Sequence, residues 1–217
     1  MMIFKPEMHL TPKIYIATMN PGKLREFREA ARPRGLEVEP LPGLESMPPA
    51  IEDGQTFEEN ARIKAEHYSR RAAGPLVLAE DSGLEVDQLE GAPGVYSARY
   101  AAVLARGGGT HENSDDEANN AALIAQLKHL PAGRHTGRYV CVIALGQNGK
   151  TLKTFRGTAE GELITTPRGT GGFGYDPLFY FPALNKTFAE LPLAEKGRYS
   201  HRGNAFRHFL DWYSGQD

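Results

Sequence analysis

One cysteine, Cys141, stands in 217 residues, so no disulfide can close within the chain. It sits in an alternating apolar run and reads as a small core residue. No Cys/His cluster has the spacing of a zinc site. No apolar stretch approaches the roughly 20 residues that cross a bilayer. Residues Met1 to Pro12 lack the apolar region of a signal peptide and read as a short extension ahead of the fold. With 25 Lys and Arg against 27 Asp and Glu, the net charge is −2. No basic field therefore draws the chain to nucleic acid. Repeats and low-complexity tracts are also missing. The expectation is a soluble cytoplasmic protein with neither a nucleic-acid nor a membrane partner.

What is present is a core-forming chain, 40% hydrophobic, long enough for one large domain or two small lobes sharing a core. Lys13 to Ala17 reads as a strand. Thr18-Met19-Asn20-Pro21-Gly22-Lys23 follows, then a helix to about Ala31 that stops before Pro33. A strand, a polar Gly-containing loop and a helix present a helix N-terminus to an anion; a capping turn with a surface lysine would look the same. Leu36 to Leu41 suggests a second strand. Thr56 and Glu59 form a capping box that opens a helix to about Ala73. Its apolar stripe is Phe57, Ala61, Ala65, Tyr68 and Ala72. Asn60 and Lys64 fall on or beside that inward arc. A lysine there either snorkels to the rim or aims at an internal anion.

The central stretch runs from Leu78 to Val86. An apolar run ends in Glu80 and Asp81, then Ser82 and Gly83, which reads as a buried strand closing on two carboxylates. Acids at a strand's C-terminal end project into the crevice where α/β folds bind ligands. Adjacent acids repel unless they share a cation or a proton. Leu84 to Leu89 reads as a separate strand. Arg106 to Asn113 is a glycine-rich polar loop. Ser114 to Glu117 reads as a capping box for a helix to His129. Gly137 to Leu145 and Thr151 to Gly157 form a hairpin about Asn148-Gly149, which Gly161 to Thr165 could extend. Gly169 to Pro177 is a glycine-rich loop before an apolar run. Ser200 caps a last helix whose buried face is Ala205, Phe206, Phe209, Leu210 and Tyr213.

Two short matches fail in context. Gly169-x-Gly171-x-x-Gly174 has the letters of a dinucleotide fingerprint but precedes an apolar strand rather than a helix. Gly149-Lys150-Thr151 resembles the end of a phosphate loop, yet it forms a hairpin turn. The chemistry lies in scattered groups instead: the cations Lys23, Lys64 and Lys196, the acids Glu52, Glu80 and Asp81, the aromatics Phe173 and Tyr175, and His201 with Arg202. Carboxylates for magnesium, lysines for phosphates and an aromatic wall for a base together describe a nucleotide site.

Six segments, in order, carry a resemblance. They are Thr18-x-Asn20-x-x-Lys23, Thr56-Phe57-x-Glu59-Asn60-Ala61-x-x-Lys64-Ala65, Glu80-Asp81-Ser82-Gly83-Leu84, Gly91-Ala92-Pro93-Gly94-x-Tyr96-Ser97-Ala98-Arg99-Tyr100, Gly171 to Pro177, and Ser200-His201-Arg202-Gly203. The chain resembles the inosine/xanthosine triphosphate pyrophosphatases from about Ile14 to the final helix. The resemblance implies an α/β fold: an elongated mixed sheet flanked by helices, as one domain of two lobes over residues 13–217 with a cleft between them, and a homodimer. It also implies magnesium-dependent hydrolysis of ITP, dITP and XTP to monophosphate and pyrophosphate, which removes deaminated purine nucleotides before polymerases use them.

Residue by residue, the resemblance makes Asp81 the general base and a metal ligand, with Glu80 beside it and Glu52 as a further ligand. Thr18, Met19, Asn20, Pro21, Gly22 and Lys23 match the phosphate loop, and Lys64 a second phosphate contact. Ser82 matches a substrate contact. Phe173, Gly174, Tyr175 and Asp176 match the base pocket, joined by Lys196, His201 and Arg202. Donors from His201 and Arg202 would suit a 6-oxo group and disfavour a 6-amino group. A Maf-like pyrophosphatase for other nucleotides and a nucleotide sensor without turnover are the alternatives.

Overall fold

A computed structural model describes residues 13–72, 74–107 and 112–215. The expected N-terminal extension and the middle of the Arg106–Asn113 loop lie outside the described residues. The chain forms one seven-stranded mixed sheet flanked by helices. Its strands are β1 (Lys13–Ile16), β2 (Glu37–Pro40), β3 (Val77–Val86), β4 (His135–Gln147), β5 (Lys150–Leu163), β6 (Phe179–Phe181) and β7 (Lys186–Thr187), in spatial order β2-β1-β3-β4-β5-β6-β7. β1 pairs in parallel with β2 and β3; the remaining pairs are antiparallel.

The helices are α1 (Pro21–Ala31), α2 (Phe57–Arg71), α3 (Tyr100–Arg106), α4 (Asp116–Lys128), α5 (Leu193–Tyr199) and α6 (His201–Tyr213). α1 and α6 cover one face of the sheet through a core that includes Ile16, Phe27, Leu78, Ile143, Phe206 and Phe209. α2 covers the other face through Ala61, Ala65, Val77, Ala79, Val142 and Ala144. A third cluster joins α4 to β4–β6 through Leu123, Leu127, Tyr139, Phe179 and Phe188. Because both faces are covered, β4 is buried without a break from Tyr139 to Gly146. A solvated outer face would instead alternate.

One residue sets how closely α6 lies on the sheet. A methyl at Gly157 would run into the Ala205 nitrogen and the His201 carbonyl. Glycine there lets the first turn of α6, with His201 and Arg202, rest on β5.

Several expectations change. β3 does not stop at Ala79: it runs unbroken through Glu80 to Val86, paired along its length with β4. Glu80 and Asp81 are thus mid-strand residues, and Leu84 to Leu89 is no separate strand. What ends near Leu78 is the neighbour, since β1 pairs only with Val77 and Leu78. The edge that β1 leaves resumes bonding at Leu84, whose N–H donates to Ser97 Oγ at 2.9 Å. The carboxylates therefore sit where one edge of the strand has lost its partner. Similarly, β5 continues through the expected break to Leu163. The cap of α4 is Asp115, which accepts from the Ala118 N–H, rather than Ser114. Ser114 Oγ accepts from Ala102 N instead. Lys196 lies on a helix, α5, that the sequence pattern did not indicate. Tyr213 is 40% exposed and leaves the buried face of α6.

Candidate active site

A cleft of about 510 Å³ opens at the gap beside β3, within the range of small-molecule sites. It is lined from several elements: Thr18 to Asn20 and Lys23 from the β1–α1 turn, Glu52 and Lys64, Glu80 and Ser82, Phe173 to Asp176, and Lys196, His201 and Arg202. Residues 155 or more positions apart in sequence thus share one wall.

Along β3, alternate side chains face opposite sides. Glu80 points to the α1/α6 side and forms an ion pair with Lys23, 2% and 22% exposed at the side chain. Arg202 Nη2 stands 3.7 Å from its other oxygen. Burial alone would raise the Glu80 pKa, but Lys23, Arg202 and Lys64 outweigh it and hold the carboxyl ionised, well below the usual range. Asp81 points to the α2 side. Its Oδ1 accepts from Lys64 Nζ at 2.8 Å and its Oδ2 from Asn60 Nδ2 at 3.3 Å. Lys64 Nζ also donates to Glu52 at 3.0 Å. Burial raises the Asp81 pKa against the pull of Lys64, and Glu52 adds to the rise. Lys64 keeps its proton, because Asp81, Glu52 and Glu80 overcome the desolvation that would lower its pKa. Asp81 stands behind Lys64, while Lys64 and Glu52 themselves face the cleft.

A chain of buried charges runs from the Gly169–Pro177 loop through α5, α1 and α6 to β3. Asp176 pairs with Lys196, and Lys196 Nζ donates to Glu26 Oε1 at 2.7 Å. Glu26 also pairs with Arg202, whose Nη2 donates to Ser82 Oγ at 2.9 Å. Glu26 is held below its ordinary pKa because Arg202 and Lys196 exceed the opposing effect of burial. Asp176 is shifted up, chiefly by burial, with Lys196 opposing. His201 is buried and held well below its usual pKa by desolvation and by Arg202 and Lys196. Its ring is therefore neutral. It lies flat against Tyr139, centroids 4.5 Å apart at 8°.

The turn after β1 is only partly free for a ligand. Asn20 Oδ1 accepts from the Gly22 and Lys23 N–H groups at 2.8 and 3.1 Å, so the capping reading of Asn20 holds. Thr18 Oγ1 accepts from Asn20 N at 3.2 Å. Pro21 opens α1, and Met19 stands 67% exposed at the rim. Gly22 lies under the Phe173 ring; a β-carbon there would come within 2.7 Å of Phe173 Cδ1. Lys196 and Arg202 sit 5.0 and 5.5 Å from the Phe173 ring centroid. Tyr175 is turned inward, with its hydroxyl donating to the Ser97 carbonyl at 2.8 Å. It is a structural pin more than an open aromatic wall. Gly174 is gripped by α4: its N–H donates to Asp116 Oδ2 at 2.6 Å, and its carbonyl accepts from Asn120 Nδ2 at 3.0 Å.

Glu26, Asp116, Asn120 and Tyr139 are site residues that sequence reasoning passed over. Glu26 carried a readable signal. Gly22, Glu26 and Phe27 lie on the inward arc of α1, as Asn60 and Lys64 do on α2. The other three become site residues only through contacts across the fold.

Among the described residues no three His, Cys, Asp or Glu side chains converge as a metal set. Glu52 and Asp81 do converge on one ammonium, and Glu80 is turned away from them. Hard carboxylate oxygens suit magnesium, and Glu52 adds its charge to the rise in the Asp81 pKa that burial causes. On that chemistry Glu52 and Asp81 fit a divalent cation.

A mixed sheet with a buried, cation-rich cleft at a strand gap defines an α/β protein built to hold an anionic ligand. The chain belongs to the Ham1 family, whose model matches residues 14–212. It is 49% identical to a dITP/XTP pyrophosphatase of Acidobacterium capsulatum over 91% of this chain and 96% of that protein. It is 42% identical to a dITP/XTP pyrophosphatase of Bacillus subtilis over 92% and 96%. Among solved structures, a Ham1 protein from Coxiella burnetii superposes with a TM-score of 0.79 at 38% identity, covering 94% of this chain and all of that one. The Staphylococcus aureus Ham1 protein gives 0.76 at 40%, with coverage of 94% and 100%.

Proposed function

We propose that the chain is a nucleoside triphosphate pyrophosphatase acting on deaminated purine nucleotides, ITP, dITP and XTP, and releasing the monophosphate and pyrophosphate. The observation that carries this reading is the cleft itself. Lys23 and Lys64 line it together with Phe173, Lys196, His201 and Arg202, so cations suited to a triphosphate and an aromatic ring suited to a base share one cavity.

In the mechanism, Lys23 and Lys64 bind the phosphate oxygens and offset the charge that develops on them. A triphosphate offers each lysine a second anion beside its resting carboxylate, so binding does not strand a buried ammonium. Once Lys64 turns toward the triphosphate, Asp81 behind it is uncovered to orient or deprotonate the attacking water. Asn60 fixes the Asp81 carboxylate. Magnesium, held by Glu52 and Asp81 with Glu80 nearby, would neutralise the triphosphate and the leaving pyrophosphate. Phe173 stacks on the base, already bordered by two cations. Arg202, held by Glu26 and Ser82, positions its buried edge toward the base, and its Nε has no partner among the described residues. We infer a homodimer of cytoplasmic chains from the same family likeness; light scattering of the purified protein tests the dimer.

The test of function is pyrophosphate release from ITP, XTP, dITP, GTP and ATP, with magnesium and with a chelator. Turnover of the deaminated purines, lost on chelation, is the expected result. Equal turnover of all five would remove the base assignment, and tight ITP binding without turnover would indicate a sensor.

A further inference from the structure

Tyr139 is a polar residue in the cleft wall to which nothing in the reaction scheme has given work. It is 6% exposed and lines the cleft from β4. Its ring is clamped between parallel rings: His201 at 4.5 Å and 8°, and Phe188 at 5.9 Å and 5°. Phe179 closes a third side at 4.7 Å. A ring held in this way cannot swing, so the direction of its hydroxyl is fixed. That direction is toward the base loop. The hydroxyl oxygen is the nearest atom to where a side chain on Gly174 would begin, at 4.0 Å.

Buried tyrosine hydroxyls usually find a partner. Tyr175 does so at Ser97. Among the described residues no hydrogen bond is formed by the Tyr139 hydroxyl. The ring it stacks on shares this condition: His201 Nδ1 is buried without a partner. Two neighbouring polar groups, each left open on the wall of one cleft, point to a ligand that completes both.

Resting on the functional reading above, we propose that the Tyr139 hydroxyl is a specificity-determining donor to the 6-oxo oxygen of the bound purine. Burial, with Asp176 nearby, keeps the phenol protonated, so it can donate at any working pH. A donor fixed at that edge is satisfied by hypoxanthine. Adenine presents an amino donor there, which the hydroxyl can meet only by accepting, so its own hydrogen is left without an acceptor.

Tyr139→Phe keeps the ring and its stacking and removes only the oxygen. It breaks no protein hydrogen bond, so its melting temperature should match the parent. With the full-length enzyme, kcat/KM for ITP should fall roughly 5- to 10-fold, mostly through KM. The ratio of ITP to ATP efficiency should fall with it, while inhibition by inorganic tripolyphosphate, which has no base, stays the same. With 6-chloropurine riboside triphosphate, which lacks the oxo group, parent and variant should be alike. An unchanged ITP/ATP ratio, a loss confined to XTP, or a parallel weakening of tripolyphosphate would each overturn the proposal. If the parent itself fails to hydrolyse ITP, it is the functional reading that falls.

Discussion

Glu80 and Asp81 are bonded neighbours that face away from each other: Glu80 reaches Lys23 on the α1 side and Asp81 reaches Lys64 on the α2 side. The strand's two-residue period separates two carboxylates that would otherwise repel, and each acquires its own lysine. The two acids therefore have unlike environments. Glu80 is held ionised by three cations, whereas burial lifts the pKa of Asp81. Unlike pKa shifts at one site are a mark of divided labour. Glu80 holds the cations in place, and Asp81 is suited to proton chemistry.

Asp81→Asn keeps the shape and removes the proposed base. The expected loss in kcat is roughly 10²- to 10⁴-fold, with little change in melting temperature. Steady-state pyrophosphate release and a thermal melt decide it; near-parental turnover would remove Asp81 from the chemistry.

Glu80→Gln should act on stability as well as activity. It leaves Lys23 and Arg202 facing a neutral amide in a buried place, where breaking an ion pair costs about 3–5 kcal/mol. The folded pKa of Glu80 lies below its unfolded value. The stabilisation from its charge is therefore complete above the ordinary carboxylate range and is lost as pH falls through the folded value. The stability gap between parent and variant should be widest near neutrality and narrow in acid, as read by urea melts at stepped pH. A gap that widens in acid would contradict the assigned sign.

Asn120→Ala removes one side of the α4 grip on Gly174. The Phe173 loop then keeps only Asp116 on that side. KM for ITP should rise several-fold with kcat nearly kept, because Lys23 and Lys64 are untouched. A fall in kcat alone would place the effect elsewhere.

Gly157→Ala tests the seat of α6. The added methyl meets backbone at Ala205 and His201, which cannot rotate away as a side chain would. Overpacking of this kind costs about 1–3 kcal/mol, and the displaced helix carries His201 and Arg202 with it. Both melting temperature and ITP affinity should drop; a neutral result would mean that α6 shifts freely.

Much of the frame was legible because its signals are local. The Thr56 capping box, the Asn148-Gly149 hairpin, the Ser200 cap and the inward arc of α2 each depend on residues within one or two turns. Asn60 and Lys64 could be assigned to the inner face of α2 for that reason, and both are buried. Six ordered segments were enough to assign the family. The reach of β3 was misread because the carboxylates resemble a strand end. In the fold, β4 pairs with them directly, and that pairing lies some sixty residues away along the chain.

By itself, then, the sequence determined the elements, their buried faces and the set of chemical groups, since propensity, capping and periodicity act over short range. Tertiary structure alone decided which groups meet. Glu26 gathers Lys196 and Arg202 from 170 and 176 residues away, and Tyr139 acquires its direction from His201 and Phe188. Such contacts follow from the order of strands in the sheet and the closeness of helices on it. These are set by packing the whole core at once, and no single segment encodes them.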